Sequence, residues 1–130
     1  NADAILLIVA VLRARDLRRL REFAAGYKLA ALVEAHDATE LQIALDSGAA
    51  IVGVNNRDLH TFEVQLKTSL DLAGSIPDGV IKVSESGIRS RAHVECLRAV
   101  GYHAFLVGEH LLKSSNPAEA LRELTEGWET

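Results

Sequence analysis

Four apolar runs in this chain end in groups that could do chemistry. Ala31-Leu32-Val33 leads into Glu34, and Gly53-Val54 into Asn55, Asn56 and Arg57. The run from Val80 to Val83 leads to Glu85 and Ser86, and Phe105-Leu106-Val107 to Gly108 and Glu109. A carboxylate beside a buried strand is costly unless it is paired or faces a wet cleft. One shared pocket accounts for all four ends together. Ser86-Gly87 and Gly108-Glu109 also put bare backbone N–H groups where a helical segment starts, which suits an anion such as phosphate. The turn Glu109–Leu112, followed by "KSSNP", matches the short extra helix of barrel phosphate sites.

The elements that must position these residues are legible as a repeat. Apolar runs at Ile5–Val9, Ala30–Val33, Ala50–Val54, Val80–Val83 and Ala104–Val107 lack polar alternation, as strands covered on both faces do. Helical spacing lies between and after them. Leu17, Leu20, Phe23 and Ala24 form one stripe, ended by Gly26. Leu41, Ala44 and Leu45 form another, opened by an Asp37/Glu40 capping box and closed by Gly48. Leu66, Leu70 and Ala73 precede Ile76-Pro77; Val94, Leu97 and Val100 run from Ser90 to Gly101. Asn116, Pro117 and Glu119 announce the last helix, with Leu121 and Leu124 on its apolar side. The fold class is therefore α/β, a parallel βα repeat of about five units, with residues 1–130 as one domain. In such folds ligands sit at the carboxyl ends of the strands.

Composition narrows the function classes. The chain has 130 residues, a net charge of −4 and only 5% aromatic residues, so a nucleic-acid platform is not expected. The apolar run from Ala4 to Leu12 is too short to span a bilayer and lacks a basic leader. A single cysteine, Cys96, suits a reducing cytoplasm. The chain has no methionine and opens inside a hydrophobic run, as expected of a processed, truncated or excised piece. His36, His60, His93, His103 and His110 show no metal-ligand spacing. There is no Walker loop, dinucleotide fingerprint or nucleophile elbow. Taken singly, the site residues have blander readings. Glu34 could bond nearby backbone N–H groups, "NNRD" could be an Asx-turn, Arg57 could pair with Asp58, and Glu109 could simply open a helical turn. Lys82, inside a strand, reads as ion-paired or at the strand edge.

"ALVEAHD", "IVGVNNRDLHTFEV", "IKVSESGI" and "AFLVGEHLL", in this order and spacing, resemble the carboxyl-terminal half of the indole-3-glycerol phosphate synthase family. "DAILLIVAVL" is similar to that family's fourth barrel strand, so the likeness covers essentially the whole chain. The resemblance implies strands four to eight of a TIM (βα)8 barrel and a lyase of tryptophan biosynthesis. That enzyme closes the ring of 1-(2-carboxyphenylamino)-1-deoxyribulose 5-phosphate with loss of carbon dioxide and water, and needs no cofactor or metal. It implies Glu34 as general base, Asn55 as the amide that positions substrate, and Glu85 and Ser86 as the pair lining the reaction centre. Carboxylates with separated pKa values can divide acid and base roles. Backbone groups at Ser86-Gly87 and Gly108-Glu109 would hold the phosphate, helped by Arg57.

Two departures from the family pattern set further expectations. Some relatives carry a small hydroxyl residue where Glu109 stands, so its side chain is expected to point away and offer only its N–H. The first three strands, with the lysines that act as general acid and bind substrate, have no counterpart, and a full barrel needs about 250 residues. The fragment alone is therefore expected to be inactive or nearly so. A sheet cut from a barrel also leaves open edges and an apolar inner face, to be covered by the missing amino-terminal half or by self-association. Other readings are a different ribulose-phosphate barrel such as phosphoribosylanthranilate isomerase, or a non-catalytic half-barrel that associates with itself.

Overall fold

The structure, a computed structural model, describes residues 2–59 and 61–126; His60 lies outside them. Five strands form one sheet in the order β1-β2-β3-β4-β5, and every neighbouring pair is parallel. They are β1 Ala4–Ile8, β2 Ala30–Ala35, β3 Ile51–Asn55, β4 Ile81–Glu85 and β5 Ala104–Leu106. The connections carry α1 Ala14–Gly26, α2 Ala38–Asp46, α3 Lys67–Leu72 and α4 Arg91–Ala99, and α5 Glu109–Lys113 and α6 Pro117–Thr125 follow the last strand. Sequential order with helical crossovers is the pattern of a barrel wall rather than of a doubly wound sheet.

Side chains alternate across a strand, so the register sorts them into two faces. Leu7, Val33, Ala35, Val52 and Val54 fall on one face and enter the core with Leu17, Leu41, Ala44, Leu72 and Leu97 from the helices. Glu34, Gly53, Asn55, Val83 and Glu85 fall on the other. That second face also holds Leu6, Ile81 and Leu106, which are 48%, 46% and 48% exposed. A strand residue of that size is normally covered.

The expected starts and stops hold with local shifts. Asp37 caps α2 by accepting from the Glu40 N–H at 2.8 Å, while the Glu40 carboxylate reaches back one residue further than a capping box requires, to the His36 N–H. Ser90 and Asn116 cap α4 and α6 as their positions suggest. Three apolar assignments need correction. Phe23 is exposed and leans on Tyr27, with ring centroids 5.0 Å apart, instead of entering the core. Leu121 is exposed because α6 packs through Ala120 and Leu124. Val100 is exposed because α4 ends at Ala99, and Tyr102 beyond the turn enters the core.

Among the described residues Lys82 has no ion-pair partner, and it does not lie at an edge of the sheet. It faces the helix layer, 8% exposed, and its Nζ donates to the Ala73 carbonyl at 3.1 Å. Beside it runs a dry polar chain. Asn56 donates to Ser84 Oγ at 3.1 Å and accepts from the Ser69 N–H at 3.0 Å. The two serine hydroxyls are 2.8 Å apart, and the Tyr102 hydroxyl donates to the Ser69 carbonyl. Burial raises the Tyr102 pKa to about 12, and the hydrogen bond at Ser69 only partly opposes it. This chain ties β4 and α3 to the residue that follows β3 and to Tyr102 ahead of β5.

Candidate active site at the carboxyl end of the sheet

Glu34, Asn55 and Glu85 all project from the uncovered face at the carboxyl end of the sheet. Pairing carries β2 and β4 through both glutamates, so each is the strand's own residue rather than the first of a loop. Asn55 Nδ2 donates to Glu34 Oε1 at 3.2 Å, and Asn55 stands beside Glu85 in the register. Between the two glutamates lies Gly53. A Cβ there would meet Glu85 Oε1 at 1.8 Å, so the glycine leaves the space that the carboxyl occupies. Glu34 is 4% exposed and Glu85 6%.

Two carboxyl groups this close and this dry cannot both ionise easily. Glu85 takes the proton. Burial first, then the charge of Glu34 and a hydrogen bond with it, push the Glu85 pKa up to about 8. Glu85 Oε1 is buried without a hydrogen-bond partner, although the carboxyl as a whole is within reach of Glu34. Burial and the neighbouring carboxyl thus favour the protonated form of Glu85, the kind of bias that acid–base chemistry uses.

Beyond Glu85 opens a cleft of about 820 Å³, lined by Arg57, Ser86, Gly87, Gly108, Glu109 and Lys113 among others. Ser86 and Gly87 both have positive φ, 66° and 75°. For Ser86 this is a strained conformation that the chain must hold in place. Gly87 has a packing reason to be glycine as well, since a Cβ would lie 2.7 Å from Val64 Cγ1. Gly108 has none of this kind: a Cβ there would meet nothing within 4 Å. Space kept empty beside the start of α5 is room for a ligand.

Two expectations about this cleft change. The Glu109 side chain does not point away; it pairs with both Arg57 and Lys113 at the rim. Hydrogen bonds from Lys113 and then Arg57, with their charges, hold its carboxyl below the usual range. Arg57 accordingly pairs with Glu109. It sits there because "NNRDLHTFEV" folds back on itself: Arg57 bridges Val64, and the Gln65 N–H returns to the Asn56 carbonyl at 2.9 Å. The Asx-turn is present too, with the Arg57 N–H on Asn55 Oδ1 at 3.0 Å. It coexists with the contact of Asn55 to Glu34.

Sequence reasoning passed over Gly53, His36 and Lys113. Gly53 is a glycine inside an apolar strand, which can signal close approach of another group. His36 lies two residues after Glu34, hence on the same side, and four before Glu40. Its Nδ1 is 2.9 Å from Glu40 Oε2, and its Nε2 is 3.2 Å from Glu34 Oε1. Among the described residues, no three of His, Cys, Asp and Glu gather as a metal site.

The fold and site define one arc of a (βα)8 barrel, with paired carboxyl groups at its mouth. Residues 1–124 match the family model for indole-3-glycerol phosphate synthase, and the chain belongs to that family. It is 50% identical to the indole-3-glycerol phosphate synthase of Koribacter versatilis and 49% identical to that of Endomicrobium trichonymphae. Each match covers 95% of this chain and 48% of the relative. The chain thus spans about half the length of the curated relatives it matches. Among solved structures, a thiamine phosphate pyrophosphorylase from Pyrococcus furiosus superposes with a TM-score of 0.72 at 18% identity. That match covers 95% of this chain and 57% of the other. A structure described as native KDPGal gives 0.61 at 16% identity, over 92% and 54%. At such identities the likeness is one of fold alone.

Proposed function

We propose that this chain is the carboxyl-terminal half of an indole-3-glycerol phosphate synthase of tryptophan biosynthesis, with residues 1–130 forming one partial barrel. The reaction closes the ring of 1-(2-carboxyphenylamino)-1-deoxyribulose 5-phosphate and releases carbon dioxide and water. The observation that carries this reading is the meeting of Glu34 and Glu85 across Gly53, next to a cleft ending in unobstructed backbone at Gly108. Glu34 serves as the base that removes a proton during dehydration, and Asn55 orients it and the substrate. Glu85, protonated at neutral pH, donates a hydrogen bond to oxygen at the reacting carbons, and Ser86 lines the same centre. The phosphate lies on the backbone N–H groups of Gly87, Gly108 and Glu109, with Ser86 at its edge. Arg57 reaches it by exchanging Glu109 for the phosphate. No cofactor enters this scheme.

The exposed Leu6, Ile81 and Leu106 support the rest of the proposal. They form the inner wall of a barrel, and the amino-terminal half present in the relatives covers them and supplies the missing acid. A second copy of the chain is the alternative cover. Among the described residues no helix is long and apolar enough to cross a membrane. The exposed thiol of Cys96 suits a reducing cytoplasm, where we place the enzyme.

The test is complementation. Mixed with the amino-terminal half of the Koribacter versatilis relative, the chain is expected to form a heterodimer that makes indole-3-glycerol phosphate; alone it makes none. Turnover by the isolated chain near that of the intact relative, or a well-formed heterodimer without turnover, overturns the reading.

A further inference from the structure

His36 stands outside the chemistry assigned above, yet it is the group most firmly aimed at it. It follows β2, largely buried, between two carboxylates. On one side Glu40 Oε2 accepts the His36 backbone N–H at 2.8 Å and lies 2.9 Å from Nδ1. A carboxylate there can only accept, so Nδ1 is the nitrogen that carries hydrogen. On the other side Nε2 is buried without an aligned hydrogen bond, 3.2 Å from Glu34 Oε1. A bare lone pair at that distance from a carboxylate oxygen repels it. The contact is favourable only when a proton lies between the two atoms.

We propose that His36, locked by Glu40, is a positioning residue that delivers a proton-mediated contact from Nε2 to Glu34. This rests on Glu34 being the base. Asn55 already donates to the same oxygen, Oε1. With His36 as the second partner, Oε1 is held from two directions and Oε2 is left to face the substrate. Orientation of this kind separates a reactive carboxylate from one that rotates freely, and misplacement by about 1 Å costs on the order of 100-fold in rate. The charged or titratable groups shown around the ring are Glu34 and Glu40, with Glu85 one carboxyl further on.

Glutamine and asparagine divide the two functions of the imidazole. The amide of His36→Gln reaches the place of Nε2 and keeps a donor for Glu34. His36→Asn has a donor only near the place of Nδ1, toward Glu40. In the complemented barrel, His36→Asn is expected to lower kcat about 100-fold with KM little changed, while His36→Gln recovers most of that loss. Equal activity of the two variants overturns the proposal. A second measurement needs no reaction. In long-range proton–nitrogen spectra of the intact chain, His36 is expected to show a single fixed form with hydrogen on both Nδ1 and Nε2. Its Nε2 resonance should move in Glu34→Gln, and its Nδ1 resonance in Glu40→Gln. A ring that averages its two tautomers as a solvent-exposed histidine does overturns the proposal even if the enzyme is active. A locked ring in a barrel that makes no product leaves the contact standing and removes the reaction assigned to Glu34.

Discussion

On one side of the mouth, Glu34 and Glu85 lie out of water, and one proton is kept between two acids. On the other, Glu109 lies at the cleft rim between Arg57 and Lys113, and its charge is held by two cations. The same residue type is thus driven in opposite directions within one site. Burial dominates in the first place, and exposed ion pairs in the second. Low dielectric makes the acid pair insensitive to salt, whereas the rim pairs are screened within about 8–10 Å at ordinary ionic strength. The dry side can hold a proton away from solvent, and the wet side can exchange one charged partner for another.

The sharpest way to break this contrast is Glu34→Gln. In the complemented barrel it is expected to reduce turnover by about 10² to 10⁴-fold, and carbon NMR of the Glu85 carboxyl should show its pKa falling as the neighbouring charge is removed. An unchanged Glu85 would mean that burial alone raises it. Gly53→Ala comes next. The added methyl forces the flexible end of Glu85 aside, so turnover is expected to fall about 100-fold. Stability should change by roughly 1 kcal/mol or less, read by urea denaturation, because a side-chain tip yields more cheaply than backbone.

Glu85→Gln sharpens the comparison through pH. A carboxyl raised from 4.5 to about 8 binds its proton more tightly in the folded chain than in the unfolded one. Its contribution to stability is therefore fully present below pH 4.5 and is lost progressively as pH rises to about 8. The variant is expected to lose that decline and to be more stable than the parent at pH 8, by an amount on the order of a few kcal/mol. Denaturant midpoints across that range check it. The smallest effect belongs to the wet side. Glu109→Gln frees Arg57 and removes a negative charge from the cleft, so binding of inorganic phosphate should tighten about tenfold at low salt. At high salt the gain should shrink, as calorimetry can follow.

Much of this architecture is legible in the residues because its signals are local. Asp37, Ser90 and Asn116 each announce a helix by capping it, and unbroken Val/Ile runs announce buried parallel strands. The positions of Glu34, Asn55, Glu85 and Gly108 at one end of the sheet follow from the repeat itself. The remainder depends on partners distant in sequence. Phe23 and Leu121 match helical spacing, yet both are exposed among the described residues, and spacing cannot tell which turn of a stripe has a neighbour. Arg57 reaches Glu109, 52 positions away, instead of the adjacent Asp58 that local reasoning offers. Lys82 looks out of place in a strand until the Ala73 carbonyl is brought over it. Gly53 could be read as a weak point in a strand, and only the Glu85 carboxyl beside it gives it a purpose.

Asn55 and Asn56 are chemically identical neighbours with opposite destinations. The first turns toward Glu34 on the open face, while the second is sealed between Ser69 and Ser84 beneath it. Deleting or inserting a single residue before this pair would flip the face each presents, turning the buried amide toward the mouth and the open-face one toward the helices. Drift in length should therefore be tolerated at the far tip of the following loop and rejected at its root. The doublet acts as a ruler that fixes the frame in which every later residue of the site arrives.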